Sequence, residues 1–167
     1  MKLSTEYIAG LFDGEGHVSI TFAVRRGIAC PKLTVKLTNT HLPVLLLVRE
    51  QYGGTIYAGK CTMSHHLQVH TLSFSVKQSE CFIRAMLPHL VIKYEQALVA
   101  LKFQATIYRR GKQVVSDEEK GIRENCMNEV KKLKKENWPK TEIDNYTSVI
   151  RGWIQHRQLI PNHDVKG

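Results

Sequence analysis

The 167-residue sequence has few acidic residues, and they are nearly absent from one long part of the chain. Between Gly16 and Ser79 there is a single acid, Glu50, against seven basic residues. Over the whole chain, Lys and Arg outnumber Asp and Glu by 24 − 15 = 9. A generic solubilising surface mixes charges of both signs. This acid-poor basic segment therefore indicates a polyanionic partner, of which nucleic acid is the usual one.

The sequence also lacks the features of membrane, secreted and zinc-binding proteins. It has no charge-free apolar run of spanning length and no basic-then-apolar leader after Met1. We therefore expect a soluble, intracellular protein without a membrane partner. Four cysteines lie far apart and form no C-x-x-C pair: Cys30, Cys61, Cys81 and Cys126. Neither a zinc knuckle nor a disulfide framework is indicated, so we interpret them as buried or idle thiols.

The chain begins with a helix that stops at an acid placed between two glycines. Ser4 is suited to cap the helix, which is predicted to run to about Asp13. Gly10 and Gly14 are four residues apart, so they share one helix face and leave it almost bare. A glycine inside a helix costs about 1 kcal/mol relative to alanine, so we expect another helix to pack closely there. Packing within one chain and packing against a second copy both satisfy this expectation.

From His17 onward, apolar residues recur at every second position. This pattern predicts a strand over residues 17–25, and the same alternation predicts another over residues 32–38. We expect the two strands to be joined across Arg26-Gly27 and Cys30-Pro31. The result is an antiparallel hairpin with one apolar face and one polar, basic face.

A second strand pair follows a short apolar helix. The helix is predicted over residues 41–52, where Gly53-Gly54 ends it, and the two strands over residues 55–60 and 66–76. In the last strand, the apolar alternation slips by one residue after Val69. Such a slip predicts a bulge or the end of the strand.

The remainder of the chain is predicted to be helical. Helices are expected over residues 78–87 and 91–107, from Ser116 through the lysines at 131–135, and from Thr141. The element order is α-β-β-α-β-β-α with trailing helices. This order predicts an α+β fold, in which a four-stranded antiparallel sheet buries one face against helices.

We expect a single domain over residues 1–158. Its core covers about residues 3–110, and C-terminal helices cover about residues 116–158. A flexible tail is predicted for residues 159–167.

The nine residues Ile8-Ala9-Gly10-Leu11-Phe12-Asp13-Gly14-Glu15-Gly16 resemble the signature of the LAGLIDADG homing endonucleases. Four conservative changes separate them: Ile for Leu, Phe for Ile, Gly for Ala and Glu for Asp. The predicted element order is similar to the core of that family over most of residues 3–110. The resemblance implies a site-specific double-strand DNA endonuclease with an αββαββα core and a DNA-binding sheet.

Only one copy of this motif is present. In the family, one-motif chains pair two such helices across a two-fold axis, so the resemblance implies a homodimer. The residues it places in the dimer interface are Ile8, Ala9, Gly10, Leu11, Asp13 and Gly14.

The resemblance also implies the catalytic residues. Glu15, helped by the Gly14 carbonyl, would bind Mg²⁺; Mn²⁺ is expected to substitute, and Ca²⁺ to support DNA binding without cleavage. Residues 88–97 are similar to the family segment that carries an active-site lysine, which gives that role to Lys93. Asn39 matches a polar residue that positions solvent. Asp13 we interpret as structural, bonding backbone at the helix end.

One phosphodiester per strand would be hydrolysed across the minor groove, leaving short 3′ overhangs. The family also suggests an intron-encoded protein of a chloroplast or mitochondrion. The outer face of the sheet would follow the DNA major groove. The predicted DNA-binding residues on this face are Ser19, Thr21, Arg25, Arg26, Lys32, Thr34, Lys36, Thr38, Tyr57, His66, Gln68 and His70. Lys112 and Lys140 are predicted to contact the DNA backbone outside the core site.

Two other functions remain open. An intron RNA maturase of the same fold would bind structured RNA and leave the acids idle. A DNA-binding regulator of this fold would need neither metal nor Lys93. The presence of both Glu15 and Lys93 favours the nuclease. An HNH-type nuclease is disfavoured because the eight histidines lack the Asn and His spacing of a ββα unit.

Overall fold

The structure is a computed structural model and describes residues 2–25, 28–59, 67–108 and 115–135. These residues belong to one compact unit, Met1–Lys135. Several predictions lie outside the described ranges, namely those for Arg26, His66, Lys112 and Lys140, the helix from Thr141 and the tail at residues 159–167. The strand at Arg25 is described, but its side chain is not.

Five α-helices and four strands are present in these ranges. They are α1 (Thr5–Glu15), β1 (Gly16–Arg25), β2 (Ile28–Asn39), α2 (Leu42–Tyr52), β3 (Thr55–Ala58), β4 (His70–Ser73), α3 (Val76–Met86), α4 (Tyr94–Tyr108) and α5 (Asp117–Leu133). The order matches the predicted α+β arrangement. Among the described residues, no helix is both long enough and apolar enough to span a membrane.

The four strands form one antiparallel sheet in the order β1-β2-β4-β3. Alternate residues of the sheet turn towards the helices and are almost fully buried, among them Val18, Ile20, Leu33, Val35, Leu37 and Leu72. They share a core with apolar residues of all five helices. The predicted alternation of β1 and β2 is therefore confirmed, and the polar residues between these positions form the other face of the sheet.

Several helix boundaries follow from the local sequence as predicted. The Ser4 hydroxyl accepts a hydrogen bond from the Tyr7 N–H and caps α1. The Ser116 hydroxyl does the same for the Glu119 N–H at α5. α2 ends at Gly53, whose φ of 75° is a backbone conformation that glycine adopts readily.

Two strand predictions need correction. β2 begins at Ile28, so Cys30 and Pro31 lie inside the strand and pair with β1. β4 pairs with β2 from residue 36 to residue 39, so no other described strand pairs with that side of β2 at Pro31, and a proline is tolerated there. β4 begins only at His70, and Val69 before it is exposed. The slip in apolar phase therefore marks the end of a strand.

The predicted helix over residues 91–107 also starts later, at Tyr94. Val91 and Lys93 donate their backbone N–H groups to the Asp13 carboxylate. These bonds fix the segment in a bend before the helix begins.

Candidate active site

The candidate active site lies where α1 gives way to β1. Glu15 is the last residue of α1 and its side chain is exposed. Gly16 begins β1, and its N–H still bonds to the Phe12 carbonyl. A Cβ at Gly16 would lie 2.2 Å from that carbonyl oxygen and 2.3 Å from the Phe12 ring, so only glycine fits. The tight junction holds the Glu15 carboxylate next to the start of the sheet.

Asp13 anchors a distant segment of the chain to this junction. It is 7 % exposed, and its two carboxylate oxygens accept hydrogen bonds from Val91 N at 2.6 Å and Lys93 N at 2.9 Å. Asp13 therefore bonds backbone, but the backbone of the segment before α4 and not of its own helix end. Its prediction as a dimer-interface residue is corrected, because the side chain points into its own chain.

Lys93 reaches the same place through its side chain. Its ammonium group donates a hydrogen bond to the carbonyl oxygen of Asp13, near the C-terminal end of α1. Partial burial lowers the pKa of Lys93, while the carboxylates of Asp13 and Glu15 act to raise it. The structure thus brings the predicted lysine to the predicted carboxylate, although they are far apart in sequence.

Three further titratable side chains, those of His17, Lys36 and Lys134, lie near Glu15 and Lys93. Partial removal of water lowers the pKa of His17, and the ammonium groups of Lys134, Lys36 and Lys93 lower it further. His17 pairs with Lys36 across the two strands, and its Nε2 lies 3.0 Å from the hydroxyl of Ser19.

His17 and Lys134 were not predicted from the sequence to belong to the site. The two-residue alternation already put His17 on the polar face. For Lys134, the signal in the sequence is its position four residues after Val130, which places it on the same helix face as that apolar residue.

Asn39 lies at the end of β2, where its side chain caps the next turn. Its Oδ1 accepts a hydrogen bond from His41 N at 2.8 Å. In the strand register Gly16 pairs with Leu37, so Asn39 lies at the same end of the hairpin as Glu15. A role for Asn39 in positioning solvent stays a prediction.

The residues present suit a hard divalent cation that takes oxygen ligands. In the described ranges, no group of three or more His, Cys, Asp or Glu side chains lies close enough to hold a metal. One chain therefore offers the exposed Glu15 carboxylate and the Gly14 carbonyl, which belongs to a helix end where carbonyls lack intrahelical partners. Mg²⁺ fits such a site, because it is usually bound by one or two carboxylates together with water and substrate phosphates.

The polar face of the sheet lies beside this junction. The strand register places the predicted residues Ser19, Thr21, Lys32, Thr34, Lys36, Thr38 and Tyr57 on this face. The hydroxyls of Thr38 and Thr71 are 3.1 Å apart across two strands. Three residues that were not predicted as DNA contacts, Thr55, Thr71 and Ser73, share the face.

Two predicted DNA contacts of the fourth strand are not on this face. His70 pairs with Asn39 and Ala58 and shares the inward side of the sheet with Leu72. Gln68 precedes β4, and its amide donates to the carbonyls of Gly59 and Val69 at 2.7 and 3.0 Å. His70 was misplaced because the alternation predicted from residue 66 does not continue into β4, which starts only at His70. A DNA contact by Gln68 stays a prediction.

No protein-family model and no curated protein matches this sequence. Solved structures do. The archaeal intron-encoded homing endonuclease I-Vdi141I, complexed with DNA, superposes with a TM-score of 0.63 at 16 % identity, covering 90 % of this chain and 96 % of that one. I-TnaI superposes with a TM-score of 0.59 at 12 % identity, covering 91 % of this chain and 99 % of that one. I-CvuI in a DNA complex superposes with a TM-score of 0.58 at 13 % identity, covering 94 % of this chain and 96 % of that one. The chain has the homing-endonuclease fold.

In this homing-endonuclease fold, α1 divides into a buried and an open side. Ile8 and Ala9 are fully buried in the chain's own core, which corrects their prediction as interface residues. Apart from the neighbouring residues and the backbone of α1 itself, no described atom lies within 4 Å of a Cβ built on Gly10 or Gly14. Leu11 is partly buried.

Three exposed apolar residues lie on α1 or in the segment that is bonded to Asp13. They are Tyr7, which is 54 % exposed, and Val91 and Ile92, which are 54 % and 69 % exposed.

Proposed function

We propose that this protein is a site-specific double-strand DNA endonuclease that acts as a homodimer with a divalent metal ion. The observation that carries the proposal is the meeting of Glu15 and Lys93 at the end of α1, beside an open polar and basic sheet face. The resemblance of the fold to homing endonucleases solved with DNA supports it.

Each residue of the junction has a distinct chemical task in this proposal. Glu15 and the Gly14 carbonyl would hold Mg²⁺, which would supply a bound water of lowered pKa and positive charge near the leaving oxygen. Lys93 stabilises the negative charge that builds on the phosphate during in-line attack. Asp13 holds the segment that carries Lys93 against the end of α1.

Two such sites in a dimer would cut one phosphodiester in each strand across the minor groove, leaving short 3′ overhangs. Mn²⁺ is expected to replace Mg²⁺ and to support cleavage. Ca²⁺ is expected to allow DNA binding without cleavage.

The sheet supplies recognition. A β-ribbon fits the DNA major groove, and the alternate polar residues of β1 and β2 are placed to face base edges and phosphates. Each sheet would cover about one helical turn, so two copies predict a pseudo-palindromic site of ~20 bp.

Replacing Lys36 with alanine is expected to weaken specific binding and relax the sequence preference at one base pair in each half-site. Lys36 lies between His17 and Ser73 on the polar face, and a lysine suits guanine O6 and N7. We expect a loss of about 1–3 kcal/mol per half-site, measured by titrating a selected site in Ca²⁺. Lys77→Ala removes the same charge from an exposed position on α3 and should leave sequence preference unchanged. Equal effects of the two variants would contradict the proposed reading face.

The homodimer follows from the open face of α1. Glycine at two exposed helix positions has an energetic cost, and within the described residues nothing packs against either of them. The described residues therefore offer no packing partner for this helix face within one chain, and we propose that a second chain supplies it. A second α1 related by a two-fold axis would cover both glycines and the neighbouring Tyr7, Val91 and Ile92.

Gly10→Leu is expected to convert the dimer into a folded monomer. The leucine has open space in one chain but blocks close approach of a second helix. Gly121→Leu is the matched control, because Gly121 is likewise exposed in a helix with no described atom near its Cβ position. Both variants should gain up to about 1 kcal/mol in helix propensity. Sedimentation at micromolar concentration should show a monomer only for Gly10→Leu, and a monomeric wild type or an intact Gly10→Leu dimer would contradict this part of the proposal.

A further inference from the structure

α5 turns one face inward, and this face continues to Lys134. Cys126 and Val130 lie four residues apart on it and are each 1 % exposed. Lys134 lies four residues further, with helical backbone angles (φ −75°, ψ −21°) and its N–H donating to the Val130 carbonyl at 3.3 Å. Side chains four apart in a helix share a face. Lys134 therefore continues the line of Cys126 and Val130, although its own side chain is exposed, whereas Lys131 leaves the helix at a different angle.

This inward face brings Lys134 to the candidate active site. α5 packs against α4 and β1, and β1 carries His17 beside Glu15. Partial removal of water lowers the pKa of Lys134, and the nearby charge of Lys93 lowers it further. Among the described residues, no carboxylate lies within 4 Å of the Lys134 ammonium. Lys93, Lys134 and His17, from three separate parts of the chain, therefore lie close enough to influence one another electrostatically, near the exposed Glu15 carboxylate.

We propose that Lys134 binds a DNA phosphate at the cleavage site, next to the phosphate that Lys93 contacts. This inference rests on the proposed function. Ammonium groups that lie near each other repel, and an anion placed between them removes that repulsion. A lysine binds phosphate as a point charge, and the phosphodiester is the anion that DNA presents beside Glu15. The C-terminal end of α5 would then contact the DNA strand that is cut, although α5 lies outside the DNA-binding sheet.

The test compares Lys134→Gln with Lys131→Gln, which removes the same charge from the same end of α5. Single-turnover cleavage is measured in Mg²⁺ on a site selected with the wild type, in which one central phosphate at a time is a neutral methylphosphonate. The cleavage rates of the wild type and of Lys131→Gln should each fall about 10- to 100-fold when the methylphosphonate occupies one particular position in each strand. On unmodified DNA, Lys134→Gln should cleave more slowly than the wild type by the same factor. A methylphosphonate at that position should not slow its cleavage further. Lys134→Arg, which keeps the charge, should retain most of the rate.

Three outcomes would overturn the inference. Lys134→Gln cleaves like Lys131→Gln, or it keeps the full sensitivity of the wild type to every methylphosphonate. The third is a Lys134→Gln that unfolds at lower urea concentration together with a Lys134→Arg that also loses cleavage, which would assign Lys134 to packing of α5. A wild type that cleaves no DNA defeats the proposed function itself and is recognised before any variant is made.

Discussion

Replacing Glu15 with glutamine is expected to abolish DNA cleavage while specific binding is retained. The substitution keeps the size of the exposed side chain at the end of α1 but removes the charge that holds a divalent cation. Metal stabilisation of a phosphoryl transition state amounts to several kcal/mol, and about 1.4 kcal/mol corresponds to a tenfold change in rate. We therefore expect a loss of at least roughly 10³-fold in the single-turnover rate in Mg²⁺.

Binding to the same DNA in Ca²⁺ is the second measurement on this variant. Glu15 does not belong to the row of polar residues on the sheet, so affinity should stay close to that of the wild type. Glu50→Gln is the matched control, because Glu50 is an exposed acid on α2, outside the sheet. A Glu15→Gln protein that cuts at the normal rate, or a Glu50→Gln protein that fails to cut, would contradict the assignment of the metal site.

The second large effect is expected at Asp13. Asp13→Ala removes an acceptor of two hydrogen bonds, from Val91 N and Lys93 N, and leaves both donors without a partner near the end of α1. Charge-assisted hydrogen bonds contribute about 1.5–3 kcal/mol each, so we expect the free energy of unfolding to fall by about 3 kcal/mol or more. Urea unfolding measures this loss, and cleavage should fall with it because Lys93 loses its anchor.

Two variants separate this anchoring role from a general effect of charge. Asp13→Asn keeps one acceptor oxygen and should lose less stability than Asp13→Ala. Asp117→Ala removes an exposed carboxylate that pairs with Lys120 on the surface of α5, and it should change stability little. Unchanged unfolding of Asp13→Ala would show that the segment before α4 is held by other contacts.

The sequence predicted those features that depend on neighbouring residues. The alternation of Val18 and Ile20 with polar residues gave the two faces of β1, and Ser4 marked the start of α1. Glu15 and Lys93 were predicted through the resemblance of short segments, and the structure brings them to one place.

Features that depend on tertiary contacts were not accessible from the sequence. The length of β4 is set by its pairing with the last four residues of β2, so the apolar residues at 67 and 69 looked like strand residues although both are exposed. The delayed start of α4 comes from hydrogen bonds to Asp13 from across the fold. In the sequence, Lys134 cannot be told apart from the other lysines of the run at 131–135. Its position near Lys93 follows from the packing of α5 against β1.

The most direct test of the account is a selection of cleaved molecules from a randomised double-stranded DNA library in Mg²⁺, run in parallel with wild type and Glu15→Gln. For the wild type, we predict enrichment of one pseudo-palindromic site of ~20 bp, cut once in each strand. No cleaved molecules are expected with Glu15→Gln. Cleavage without sequence enrichment, no cleavage by the wild type, or the same products from Glu15→Gln would contradict the account.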